Sequence, residues 1–262
     1  MLRRTFLTAP LPLALSCSQL PPAWPDGKKV ALSLTFDDAR ASQIDVGLPL
    51  FQKIKLPATW YVLPDKMEKQ LKGWKEMIAL GNQEIGNHST THPCSINFRP
   101  GAKGLEGMTL EELGRDLDKA NEEIRRMTGL TPVSFAYPCG QSTVGRGEGV
   151  QSYVPLIAKR FTSGRGYYDE MGNYPFVCDF AKLLGLATDD MDFAGMKRLI
   201  ETARNSSRWV IFCGHEIGPR KFQSTEAEAL RALADYVNDP ANGVWVDTVG
   251  NITSHVRKLQ GV

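Results

Sequence analysis

The chain has 262 residues, 42% of them hydrophobic and 23% charged, which suits one large α/β domain better than two small ones. Lys and Arg number 31 against 29 Asp and Glu, and without Arg3 and Arg4 the count is 29 against 29. That balance lacks the basic footprint of a nucleic-acid binder, and neutral partners such as sugars suit it better.

The first residues read as a targeting segment. Met1-Leu2-Arg3-Arg4-Thr5-Phe6-Leu7 puts a basic pair ahead of a short apolar stretch, the layout of a bacterial export signal over residues 1–17, with a twin-arginine flavour. Ala14-Leu15-Ser16-Cys17 is similar to a lipoprotein cleavage site, in which case Cys17 would carry lipid. The expectation is an exported bacterial protein, periplasmic, extracellular or lipid-anchored, whose membrane contact is limited to that N-terminal anchor. Residues 18–27, rich in proline, read as an extended tether, and 28–262 as the folded domain.

Val30 to Phe36 is a buried strand ending at Asp37-Asp38, and an amphipathic helix follows over Ala41 to Lys55. Ala58 to Leu63 is a second strand, Asp65 to Leu80 a helix closed by Gly81, and Glu84 to His88 a third strand. Residues 94–108, with Pro100 and several glycines, form a long loop, and Leu110 to Met127 is a strong helix. Val133 to Tyr137 is a fourth strand, followed by a glycine-rich loop over 140–152. Ile157 to Thr162 reads as a fifth strand, Leu183 to Leu186 as a sixth, and Trp209 to Cys213 as a strand running into Gly214-His215. Helices over Phe193 to Arg204, Thr225 to Val237 and Val249 to Lys258, with a short strand Val244-Trp245-Val246, complete the alternation. About seven strand–helix repeats predict a distorted (β/α) barrel of parallel strands, with chemistry at the strand C-terminal ends.

His88-x-x-x-His92 with one carboxylate makes a three-ligand metal site with open positions, and the aspartate left over is a candidate general base. Gly86 before the pair and Pro93 after it exclude a long helix, so a turn or loop sets the spacing. Ser89 stands where the zinc-protease motif needs glutamate. The same two-histidine, one-carboxylate set serves iron(II) oxygenases, but those sites sit in all-β barrels. His215 lies at a strand end between Gly214 and Gly218, which leave backbone room for a ligand.

Taken in order, Thr35-Phe36-Asp37-Asp38, His88-x-x-x-His92, Phe135-Ala136-Tyr137-Pro138-Cys139-Gly140 and the late His215 resemble the polysaccharide deacetylase (NodB-homology) family of carbohydrate esterases. The resemblance covers roughly residues 28–260. It implies that Asp38, His88 and His92 hold a divalent metal (zinc first, with cobalt, nickel or iron also compatible), that Asp37 is the catalytic base and that His215 is the acid. It also implies a role in substrate and oxyanion binding for Tyr137, Pro138 and Cys139, the backbone N–H at Cys139 being the donor. The segment Asp189-Asp190-Met191-Asp192-Phe193 resembles the family's acidic motif, so Asp189 and Asp192 are candidates to tune His215; Asp247, after Trp245, is a third. The activity implied is removal of N- or O-acetyl groups from an acetylated polysaccharide or oligosaccharide such as chitin, peptidoglycan or xylan.

The chain departs from the family where an arginine usually partners the base: Ala136 stands there, and Cys139 replaces the usual aromatic. Asp37 then needs another orienter. Hydrolysis of a different C–N amide, or a catalytically impaired carbohydrate-binding protein, are the alternatives this departure opens. Cys94, Cys139 and Cys213 lie beside motifs, and buried free thiols are expected in preference to a Cys94–Cys139 bridge. Trp60, Tyr137, Tyr167 and Tyr168 could stack on sugar rings, with core packing expected for at least one of Trp60 and Tyr137.

Overall fold

A computed structural model describes residues 22–98, 100–101, 103–219 and 222–262. The export signal expected at 1–17 and the start of the expected tether lie outside the described residues. The end of the tether is not a free linker: Ala23 and Trp24 are buried, and the Trp24 indole N–H donates to Ser207 O at 3.1 Å while its ring packs on Trp245 and His255.

The main sheet has eight strands, all parallel. In chain order they are β1 (Val30–Asp37), β2 (Ala58–Val62), β3 (Gln83–Asn87), β4 (Ser134–Ala136), β5 (Ser163–Arg165), β6 (Leu186–Ala187), β7 (Trp209–Gly214) and β8 (Val244–Val246). Their spatial order is β5-β4-β3-β2-β1-β7-β6, and β8 pairs with the start of β1. A parallel bridge from Arg165 to Leu183, just ahead of β6, joins the two edges and curls the sheet into the expected distorted barrel.

Every residue of β1 is buried, as a strand flanked on both edges and covered on both faces must be. Around it, the rings of Phe36, Phe51, Trp60 and Trp74 interlock at centroid distances of 4.9–5.9 Å. Each such side chain contributes about 1.5–3 kcal/mol by leaving water. Trp60 and Tyr137 are therefore core residues and cannot stack on a ligand.

Two predicted elements change. The strand expected at Ile157–Thr162 is a helix, α5 (Val154–Arg160), and β5 begins only at Ser163. Pro155 starts that helix, and the buried pair Tyr153 and Ile157 is spaced by four, the period of a helix rather than a strand. The helix expected from Asp65 to Leu80 is two, α2 (Pro64–Lys69) and α3 (Leu71–Ala79), broken at Gln70, whose side-chain amide donates to Asp45 at 2.7 Å.

Candidate active site

β1 and β3, with β2 between them, present their C-terminal tips at the barrel mouth. Asp38 leaves β1 at φ +75° and Ala39 follows at +50°, a left-handed pair that alanine adopts reluctantly. Beyond β3, Ser89 and His92 also have positive φ, +67° and +49°, so the histidines are spaced by a tight irregular loop, as Pro93 requires. Strain concentrated on the residues that carry the side chains of a site is what a preorganised centre shows.

Asp38 Oδ1 lies 3.5 Å from His88 Nε2 and 3.3 Å from His92 Nε2, and is buried without a hydrogen-bond partner. One ligand atom from each residue falls within 4.8 Å of the others. His88 Nδ1 bonds Ala136 O at 2.9 Å, which turns Nε2 towards Asp38. The other Asp38 oxygen accepts from Arg40 at 2.7 Å. Burial pushes the Asp38 carboxyl up, but His88, His92, His215 and Arg40 together bring it down to about 2. A buried, ionised oxygen with no hydrogen bond, faced by two imidazole nitrogens, fits a divalent cation.

The partner missing at Ala136 comes from one strand further on. Arg165 ends β5, is fully buried, and donates through its Nη2 to Asp37 Oδ1. In the sheet register Ala136 is the direct neighbour of Arg165, so the guanidinium enters at the same level of the barrel. Tyr61 lies beneath it at 4.9 Å, and Gly185 leaves it room: a Cβ there would come within 2.6 Å of Arg165 Cδ and 2.5 Å of Gly166 O. Burial alone would lower the arginine's pKa, but Asp37 raises it, so the guanidinium keeps its charge.

His215 follows β7. Its Nδ1 meets Asp189 Oδ2 at 2.6 Å and its backbone N–H donates to Asp189 Oδ1 at 3.0 Å, while the Tyr167 hydroxyl donates to the same carboxylate at 3.1 Å. Burial lowers the imidazole's pKa, but the hydrogen bond to Asp189 and the charges of Asp37, Asp189 and Asp38 outweigh it, and the net shift is upward. Gln43, fully buried, donates to the backbone carbonyls of Asp37 at 2.6 Å and His215 at 2.8 Å and so ties the two strand ends together.

Of the three acids expected to tune His215, only Asp189 reaches it. Asp192 caps α6 (Phe193–Arg204) by accepting from Gly195, and Asp247 accepts from Thr248 N and Asn251 Nδ2. Gly214 serves packing rather than a ligand, since a Cβ there would strike Thr225 Oγ1 at 2.7 Å.

Cys94 and Cys139 form a disulfide, against the expectation of free thiols. It clamps the loop after His92 to the turn after β4, with Cys94 Sγ 3.6 Å from His92 Nδ1. Cys139 is at φ +55°, next to the buried Pro138. Tyr137 points away from the site, its hydroxyl donating to Ala181 O at 2.6 Å. Cys213 is free and buried, its thiol pushed up to about 12 by burial. Tyr167 stands edge-on to His215 at 5.5 Å, and Tyr168 beside it is exposed.

The fold and site define a (β/α)-barrel protein with a carboxylate–histidine cluster at the strand C-terminal ends. Residues 25–151, which include both aspartates and both histidines of that site, match the sequence model of the polysaccharide deacetylase family. A 93-residue stretch, 36% of this chain, is 32% identical to the uncharacterized protein YlxY of Bacillus subtilis (strain 168); the match spans 26% of that relative's length. A putative polysaccharide deacetylase from Mycobacterium smegmatis superposes with a TM-score of 0.64 over 90% of this chain and 92% of its own, at 17% identity. Puue allantoinase does so with 0.63 over 96% and 98%, at 14% identity. A family 4 acetyl xylan esterase from Clostridium thermocellum, in complex with a cobalt ion, gives 0.57 over 88% and 92%, at 18% identity. At these identities the three structures share the fold.

Proposed function

We propose that this protein removes N- or O-linked acetyl groups from a polysaccharide or oligosaccharide, with a divalent cation held by Asp38, His88 and His92. The observation that carries the reading is the convergence on one barrel mouth of three cation ligands, an arginine-paired carboxylate and an aspartate-paired histidine. A cation bound there supplies Lewis acidity to the acyl carbonyl and lowers the pKa of water. Zinc suits two imidazoles and a carboxylate, as do cobalt, nickel and iron, and the esterase with bound cobalt supports a cation at this place.

The chain's own groups then divide the proton work. Asp37 Oδ2, left over from the contact that Oδ1 makes with Arg165, accepts the proton of the attacking water. Arg165 fixes that carboxylate's orientation. His215, whose protonated form the hydrogen bond to Asp189 favours, donates a proton to the departing amine or alcohol, which otherwise leaves poorly. The Cys139 amide, presented by its left-handed turn, is the donor for the developing oxyanion. Tyr168 and the half-buried Tyr167 offer ring faces to a sugar beside His215.

The disulfide suits an oxidising compartment and supports export. The test is acetate release from acetylated chito-oligosaccharides, peptidoglycan and xylan by the zinc- or cobalt-loaded protein. Asp37→Asn should lower kcat by about 10²- to 10⁴-fold. An unchanged rate in that variant removes Asp37 from the chemistry, and no acetate from any of these substrates turns the reading towards carbohydrate binding. The fold shared with a protein named for a different substrate supports, as a second reading, hydrolysis of another C–N amide, so the screen includes small cyclic amides.

A further inference from the structure

The cleft beside the cation ligands has a basic wall. It has a volume of about 370 Å³, and Arg40, Lys66, Lys69 and Gln70 line it together with Asp38 and His92. The lysines stand there because β2 ends at Val62 and α2 starts at Pro64, which puts this short helix on the active face of the barrel. Spaced by three, Lys66 and Lys69 lie on one side of it.

The nearby acids do not neutralise this wall. Glu68 is engaged with Arg126 at 3.1 Å, and neither Asp45 nor Asp65 lines the cleft. Arg40 shares its charge with Asp38 at 2.7 Å and Glu216 at 3.6 Å. The two exposed lysines enter no ion pair among the described residues. With a net charge of only +2 over the whole chain, such a patch is a local concentration rather than part of a basic surface.

We propose that this cleft receives an anionic substituent, a carboxylate or a phosphate, on the glycan whose acetyl group is hydrolysed, so that acidic acetylated sugars are preferred to neutral ones. The proposal rests on the deacetylase reading for its reaction but not for its binding. It also refines the neutral-sugar expectation drawn from overall charge, which averages away a cluster of two lysines.

The test uses the zinc-loaded full chain and three matched disaccharides: neutral N,N′-diacetylchitobiose, the same disaccharide bearing a lactyl ether carboxylate, and the same bearing a 6-phosphate. Acetate release gives kcat/KM for each, and calorimetry gives the affinity of each deacetylated form. One or both anionic disaccharides should exceed the neutral one by about tenfold at low salt, and the arm with the larger ratio identifies the group. Lys66→Ala with Lys69→Ala should cut that ratio about fivefold, the size expected of two exposed ion pairs, whereas Lys66→Arg with Lys69→Arg should retain it. Salt at about 0.5 M should also collapse it. Ratios near one, indifferent to salt and to the lysines, overturn the proposal while leaving deacetylation intact. If no disaccharide yields acetate, the deacetylase reading fails, and calorimetry alone decides the cleft: an anion preference lost in the alanine pair supports it, and equal affinities overturn it.

Discussion

Within residues 25–151 the site residues stand on the tips of two strands only one strand apart: Asp37 and Asp38 at the end of β1, His88 and His92 just beyond β3. In the remainder of the chain, Arg165 leaves β5, Asp189 follows β6 and His215 follows β7, and each acts by reaching another element. In the proposed mechanism the first region supplies the cation ligands and the base, and the second orients and protonates. The family match covers the first region alone. The arginine that pairs with Asp37 is the register neighbour of Ala136, one strand from the position to which the family resemblance assigns it.

The sharpest way to break this division is Arg165→Met. It leaves the three cation ligands in place but strands Asp37 in a buried site, so stability should fall by about 3–5 kcal/mol in denaturant unfolding. Asp37→Asn combined with Arg165→Met should recover much of that loss, because no buried charge is then unpaired. Cation content measured on the folded Arg165→Met protein should stay near wild type while kcat falls. Loss of the cation together with the arginine would mean that the two regions are not separable.

A smaller effect is expected at the acid. The imidazole of His215 has its pKa raised above the ordinary histidine value, so its proton is present below that raised pKa and is lost as pH rises through it. Activity should therefore have a basic limb set by His215. Asp189→Asn removes the hydrogen bond and the charge that raise it, and should move that limb to lower pH and reduce the rate at neutral pH by about tenfold. A pH profile identical to wild type would detach Asp189 from the mechanism.

The smallest change tests the clamp between the regions' loops. Denatured without reductant, the protein should show Cys178 and Cys213 as free thiols and Cys94 and Cys139 as none, with Cys17 adding one only where it is retained unmodified. Cys94→Ser with Cys139→Ser should weaken cation affinity modestly by releasing the loop that carries His92; unaltered affinity would make the bridge purely structural.

The sequence made the first region legible because its chemistry is local. An apolar run ending in two acids, and two histidines four apart just before Pro93, carry both the position and the role of their side chains. His215 was readable for the same reason, at the end of a clear strand. Arg165 was not: β5 is three residues long, contains Gly164 and lacks an apolar run, so the helix before it took its place in the prediction. The available signal was an arginine followed by glycine at a strand end, the place where this architecture puts chemistry. Asp189, Asp192 and Asp247 were equivalent as letters, and only the folded chain shows that two of them are spent on local backbone and helix-start contacts. Four cysteines allow three connectivities, and a bridge across 45 residues depends on two loops meeting.

The central claim is that one divalent cation on Asp38, His88 and His92 drives deacetylation. Its most direct test is elemental analysis of the purified protein beside acetate release before and after exhaustive chelation, with Asp38→Ala as the control. The account predicts about one zinc-class ion per chain, activity that disappears on chelation and returns with added metal, and neither ion nor activity in Asp38→Ala. Acetate release that survives chelation undiminished would contradict it.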